Sequence, residues 1–293
     1  MLVVTWTSAE WKALADVLSP GRETQDWQIY TRNWSEFELH LTDRSPAKEA
    51  RCLGEYTYVT IGAKLVCLFH SQLHLCTDDA TAPIVALWQQ LLDEAEPELA
   101  ITTGTAGGIG AATQLGDVFI VNSGKFNCTH TFKDEPWAQE HYVSMPTTLS
   151  LEGNLNTALA LIAPQQQKLK SAPCSVTRAN TITIGGDVET VDFFGFADTD
   201  DSYGIVANDP EAHCEEMDDC TLPLALSLSN LTTPWISARN ASDPQVPSSV
   251  GDLEAQNKWA SKIYQDYGYW TTVNSAIATW SVIADLASET VPN

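Results

Sequence analysis

Positive charge is scarce in this chain. Lys and Arg number 15 against 38 Asp and Glu in 293 residues, for a formal net charge of −23. A surface of that sign repels phosphate backbones and anionic lipid, which argues against nucleic acid and membrane as partners. No apolar run approaches the ~20 residues that cross a bilayer. The opening MLVVTWTSAEWKALADVL has no basic start and no small-residue cleavage site, so it does not read as a signal peptide. Paired cysteine motifs are also missing. The seven cysteines, Cys52, Cys67, Cys76, Cys128, Cys174, Cys214 and Cys220, are odd in number and contain no C-x-x-C. That excludes a disulfide framework and a thiolate zinc site and points to a reduced, cytoplasmic setting. Four N-x-S/T tripeptides, at Asn33, Asn127, Asn230 and Asn240, leave secretion of a processed form as the alternative. His70, His74, His130 and His213 lack metal-ligand spacing, so neither metal nor cofactor is expected.

Glycine is plentiful in one place. The stretch ELAITTGTAGGIGAATQLGDVFIV, residues 98–121, holds Gly104, Gly107, Gly108 and Gly110 within seven residues. Only glycine accepts both close approach and positive φ without steric cost. The Gly-Lys-Ser/Thr of a phosphate loop is absent. A dinucleotide fingerprint starts at Gly108 and Gly110 but meets Thr113 where its last small residue belongs. A tight turn between strands is the plain expectation.

Strand and helix patterns alternate along the chain, without repeats or a linker. LVVTW predicts a strand. SAEWKALADVL predicts a helix capped by Ser8, with Trp11, Leu14, Ala15 and Leu18 on one face. Residues 26–50 are polar with weak alternation and read as strands and loop. TYVTIGAKLVCLFHSQLHL reads as two strands, TAPIVALWQQLLDEA as a helix, and ELAITTG and QLGDVFIVNS as strands. TTLSLEGNLNTALALIAPQ is a helix and SVTRANTITIGGD a strand. Residues 189–210 read as an acidic loop. CEEMDDCTLPLALSLSNL reads as a helix, PWISARNASD as a strand, and YWTTVNSAIATWSVIADLAS as a closing helix. The pattern predicts one α/β domain over 1–293, its sheet covered on both faces.

Four pieces, VVTWTSAEWKAL, ITTGTAGGIG with LGDVFIV, EEMDD and ISARNASD, resemble in order and spacing the nucleoside phosphorylase/nucleosidase superfamily. That group includes purine nucleoside phosphorylase, uridine phosphorylase and the methylthioadenosine/S-adenosylhomocysteine nucleosidases. The resemblance covers nearly the whole chain. It implies a central mixed, twisted, partly barrel-like sheet flanked by helices, a small-molecule nucleoside as partner, and a homo-oligomer: dimer, trimer or hexamer. It implies that the glycine-rich backbone of Thr105, Ala106 and Gly107 lies against ribose and nucleophile. Asp243 would protonate the leaving purine at N7, with Ser242 in support. Glu216, Met217 and Asp218 would hold the sugar, although the family has a longer Glu where Asp218 stands, which leaves ribose against deoxyribose open.

Breaking the C1′–N9 bond needs an acid at the base, a placed nucleophile and a hold on the sugar hydroxyls. In the hydrolytic branch a Glu early in the first helix activates water, aided by a hydroxyl in the glycine stretch and an Arg before the Ser-Asp pair. Glu10, Thr105 and Arg239 are the counterparts. The phosphorolytic branch clamps phosphate with an Arg two residues before the first glycine, where this chain has Thr102. TWTSAE supplies neither Gly nor Arg for a second clamp. The resemblance therefore favours a purine ribonucleoside hydrolase. A phosphate-dependent phosphorylase is the first alternative, and a storage or nucleoside-sensing relative the second. Glu189 is a candidate for reading the base, and one of Phe193, Phe194 and Phe196 for stacking on it. His74 or Asp78 is a candidate for the 5′ end.

Overall fold

The structure, a computed structural model, describes residues 1–75, 81–144, 152–174 and 176–288. Its strands are β1 (Leu2–Thr5), β2 (Gln28–Tyr30), β3 (Gly54–Ile61), β4 (Lys64–Ser71), β5 (Ala100–Gly108), β6 (Val118–Val121), β7 (Ser123–Asn127), β8 (His141–Val143), β9 (Ile182–Ile184), β10 (Asp187–Val191), β11 (Ala212–Glu216) and β12 (Trp235–Asp243). Its helices are α1 (Ser8–Leu18), α2 (Trp34–Phe37), α3 (Pro46–Ala50), α4 (Thr81–Ala95), α5 (Glu152–Ile162), α6 (Gln166–Leu169), α7 (Ile205–Asn208), α8 (Thr221–Leu228) and α9 (Leu253–Ser288).

All twelve strands join one mixed sheet. Its main path runs β2-β3-β4-β1-β5-β11-β10-β7-β8, and β12, β6 and β9 branch from β5. The sheet branches but does not close, which refines the partly barrel-like expectation. Helix α9 packs on α1, β12 and α5 on one face, and α4 packs on α8. Two large apolar clusters follow. One gathers Trp6, Phe69, Trp88 and Trp235. The other gathers Val3, Leu14, Ile101 and Ile277.

β5 decides where the cleft lies. One edge pairs along its length with β12. The other edge pairs first with β1, over Ala100–Thr102, and then with β11, at Gly107 and Gly108. Residues 103–106 have neither strand beside them on that edge, so their backbone is open to other partners. The glycine-rich stretch is thus a strand rather than the expected turn. Gly104 takes φ +154, where a Cβ would overlap Glu10 Oε1. The bare backbone serves close approach.

Other expectations shift in the same local way. Residues 26–50 form β2 and short helices, because the apolar side chains Phe37 and Leu41 turn inward singly rather than in alternation. The acidic segment starts as strand β11, and α8 begins only at Thr221. Glu189 and Val191 belong to β10, and α7 interrupts the expected loop. β7 continues beyond β6 as a separate strand, and α9 starts well before Tyr269. No helix among the described residues is long and apolar enough to cross a membrane. Asn127 and Asn240 are buried. The six described cysteines are free, and five of them are buried.

The helix cap falls at Thr7, not Ser8. Thr7 accepts the N–H of Glu10, and Glu10 accepts the N–H of Thr7, closing a capping box. The Thr7 hydroxyl also accepts the Tyr264 hydroxyl at 2.9 Å, which ties α1 to α9. Thr7→Ala is expected to cost about 0.5–2 kcal/mol, the usual range for a lost N-cap. Urea unfolding of the two proteins measures it, and an unchanged midpoint would show that the box carries no stability.

Candidate active site

A cleft of about 200 Å³ opens at the free edge of β5. Its floor and walls draw on α1, β5, β10, β11, β12 and α9 and on the turns after β1, β4, β10 and β11. Glu10, Thr105, Ala106, Gly107, Glu216, Met217, Asp218, Arg239, Ser242 and Asp243 all line it. Of the candidates named from sequence, Glu189 does not. It sits fully buried in β10, accepting from Asn208 Nδ2 at 2.7 Å.

Glu10 is held by both its own segment and β5. Oε2 accepts the Thr5 hydroxyl at 3.1 Å and the N–H groups of Trp6 at 3.0 Å and Thr7 at 2.9 Å. Oε1 accepts the Thr105 N–H and hydroxyl, both at 2.7 Å. Burial resists its charge, but Arg239 and these donors outweigh burial and lower its pKa. Glu10 is therefore an ionised carboxylate fixed at the exposed edge of β5.

Arg239 lines the cleft beside Glu10 and is engaged by several protein groups. Nε donates to Asp219 Oδ2 at 3.0 Å, and Nη2 donates to Asp219 Oδ1 and, at 3.2 Å, to Glu216 Oε2. Nη1 donates to the Thr105 carbonyl at 2.9 Å and lies 3.6 Å from Glu10 Oε1. The guanidinium also stacks over Trp6, 4.9 Å from the ring centroid. Burial opposes its charge, but Asp219 and Glu216 hold it firmly protonated. Its part is to position the surrounding carboxylates.

The expected sugar-binding trio separates in the same manner. Glu216 lines the cleft, yet it accepts from the Thr190 hydroxyl at 2.5 Å, from the Asp218 N–H at 2.7 Å and from the Asp219 N–H. Those bonds shape the turn between β11 and α8, so Glu216 is bound into the frame. Asp218 faces the cleft beside Met217. Oδ1 accepts the Leu75 N–H at 2.8 Å, and Oδ2 lies 3.3 Å from His74 Nδ1. His74 therefore belongs with Asp218, and Asp78 lies outside the described residues. Phe193 and Phe194 line the cleft, whereas Phe196 is buried under Tyr203.

Asp243 ends β12. It is 9% exposed, and Oδ1 accepts the Ser242 hydroxyl at 2.8 Å. Burial raises its pKa to about 6, with the Ser242 hydrogen bond pulling the other way. The group thus carries a proton that it can give up near neutrality. Glu215 faces the cleft from β11, with its pKa pushed well above the carboxylate range by burial and then by the charge of Asp243. Trp6, Val191 and Tyr264 also line the cleft and were not foreseen, nor was Asp219, which is buried behind it against Arg239. The Trp6 position was visible at the end of the first strand. Tyr264 had no local signal, because only the packing of α9 on α1 brings it in.

No protein-family model matches the sequence, and no curated protein matches it. Solved structures do. The 5′-methylthioadenosine/S-adenosylhomocysteine nucleosidase of Neisseria meningitidis, in complex with methylthio-immucillin-A, aligns at TM-score 0.58 and 14% identity over 97% of both chains. The corresponding nucleosidase of S. pneumoniae aligns at 0.54 and 16%, over 98% of this chain and 100% of the other. Futalosine hydrolase of Helicobacter pylori aligns at 0.56 and 9%, over 96% of both. This chain therefore has the fold of the nucleoside phosphorylase/nucleosidase superfamily.

The buried acids set a pH dependence of stability. Burial raises Glu189 to about 7, and burial with the charge of Asp219 raises Glu216 to about 8. Asp243 stands at about 6. Each binds its proton more tightly folded than unfolded. Their contribution is full below the unfolded values near ~4, and it is lost as pH rises through the folded ones. The melting temperature is therefore expected to fall between about pH 5 and pH 8. Calorimetric scans across that window check it, and a rising melting temperature would contradict it.

Proposed function

We propose that this protein is a nucleosidase that hydrolyses the N-glycosidic bond of purine ribonucleosides to free base and ribose. The observation that carries the reading is that the guanidinium lining the cleft, the one found there among the described residues, is already engaged by the protein. Five carboxyl groups line it, Glu10, Glu215, Glu216, Asp218 and Asp243, against one guanidinium. That guanidinium is already engaged by Asp219, Glu216 and Thr105. Among the described residues lining the cleft, no other Lys or Arg is present to clamp a phosphate dianion. Thr102, at the expected clamp position, is buried and accepts from Trp235 Nε1 at 3.3 Å. Water is the nucleophile that such a site tolerates.

The geometry supports a division of labour. As C1′–N9 breaks, the electron pair of the bond passes to the purine, and Asp243 delivers its proton to N7. The sugar becomes cationic. The ionised Glu10 faces it across the open edge of β5 and stabilises that charge. The water oxygen bonds to C1′, and its proton passes to Glu10, by way of the Thr105 hydroxyl that already hydrogen-bonds Oε1. Met217 packs against the sugar, and Asp218, braced by Leu75 and His74, takes its hydroxyls.

Four outcomes are expected. Base and free ribose appear without added phosphate; strict phosphate dependence with a sugar phosphate as product would make the protein a phosphorylase. Turnover needs Asp243 protonated, so kcat falls as pH rises through about 6. Asp243→Asn is expected to lower kcat by roughly 10²–10⁴-fold, the usual worth of a placed general acid. A nitrophenyl riboside, whose leaving group needs no proton, is expected to suffer much less. Equal losses on both substrates would assign Asp243 a structural part.

A further inference from the structure

Glu215 is the lining carboxyl with no task so far. It is 3% exposed. Oε1 accepts the Ala197 N–H at 2.9 Å. Oε2 has no hydrogen-bond partner among the described residues. The ionisable groups facing it are Asp243 on β12 and Glu189 on β10, both acids. Arg239 is turned to the opposite carboxylates. A buried carboxylate without a cation or a full set of donors is strongly disfavoured, so Glu215 keeps its proton. With Oε1 accepting from Ala197, that proton sits on Oε2.

Register places this donor. Asp243, Gly107 and Glu215 are partners on three adjacent strands, β12, β5 and β11. Directly paired residues project to the same face of a sheet. Gly107 has no side chain, and a Cβ there would overlap Glu215 Oε1. The Glu215 carboxyl therefore lies over Gly107, on the Asp243 side. The cleft thus offers two neighbouring proton-bearing carboxyls, which match a base edge with two neighbouring acceptors. A 6-oxopurine has that edge, N7 and O6, whereas a 6-aminopurine offers N7 and a donor.

We propose that Glu215 selects the base: its Oε2–H donates to the 6-oxo group of the purine whose N7 faces Asp243, so the cleft takes 6-oxopurine nucleosides over 6-aminopurine ones. The inference rests on Asp243 as the N7 donor. It separates this chain from the structural neighbours named for methylthioadenosine.

The test is calorimetric binding of two free bases, hypoxanthine and adenine, to the whole protein at about pH 5, below the value of about 6 at which Asp243 loses its proton. Free bases keep it independent of hydrolysis. Wild type is expected to bind hypoxanthine about tenfold or more tightly, one good hydrogen bond in an enclosed site. Glu215→Gln, which sets an N–H donor at the Oε2 position, is expected to keep the preference. Glu215→Ala is expected to bind the two bases within about twofold. Adenine bound as tightly as hypoxanthine by wild type, binding of neither base, or a preference lost in Glu215→Gln overturns the proposal. Wild type and Glu215→Gln decide the matter even where Glu215→Ala fails to fold. Nucleoside assays run in parallel separate the two readings. If no nucleoside is cleaved, the hydrolase reading fails while the base preference still judges Glu215.

Discussion

A buried guanidinium needs anions, and the site is arranged around that need. Arg239 stands in the middle of β12 with almost no solvent contact. Removing one partner of a buried ion pair typically costs about 3–5 kcal/mol, because the remaining charge is stranded. Asp219 answers it from the start of α8, Glu216 from the end of β11, Glu10 from α1, and Thr105 from the open edge of β5. Three segments well apart in sequence, α1, β5 and the turn after β11, are thereby drawn to β12. The same group that anchors them holds Glu10 ionised. Frame and electrostatics share one cation.

The remaining acids show the other side of that arrangement. Arg239 meets the charge of Asp219 and lowers the pKa of Glu10, but it does not reach Glu215 or Asp243. Those two lie at the far end of the β5 edge, where burial outweighs the hydrogen bonds from Ala197 and Ser242. The two ends of the cleft therefore hold carboxyls in different protonation states, one ionised and one proton-bearing, from the same residue type. Such a separation is the usual mark of an acid and a base that divide one reaction.

Much of this could be read from the residues in order. Apolar runs such as LVVT, VCLFH and WISA are buried on both faces, so composition alone revealed them as strands. TAPIVALWQQLLDEA kept its helical period to both ends. The glycine-rich stretch was harder, because glycine signals both a turn and a strand that something approaches closely, and only the arrival of Glu10 decides between them. Arg239 was recognisable as buried, but not its partner: Asp219 looked like a helix-start charge, which it also is. Glu189 appeared to follow a turn, whereas Val188 and Val191 carry it inside a strand, one level below the cleft. Tyr264 and Glu215 owe their places to tertiary pairing, of α9 on α1 and of β11 on Gly107, for which a linear pattern carries no mark.

The helix α9 has a consequence for how the protein comes into being. It is 36 residues long, about 54 Å at 1.5 Å per residue, and it lies on α1 and β12 together. Its Tyr264 reaches back to Thr7, across 257 positions of sequence. Contacts of such separation close late, since the intervening chain must first be ordered. On the ribosome, where chains emerge from the N-terminus onward, β1 can pair with β4 and β5 early, but α1 waits until α9 has been made before it finds its cover. Glu10 meets Arg239 only once β12 has been made, and Thr7 meets Tyr264 only after that. A nascent chain that stops short of α9 lacks Tyr264 and the cover of α1: the cleft wall is completed by the same helix that completes the apolar core.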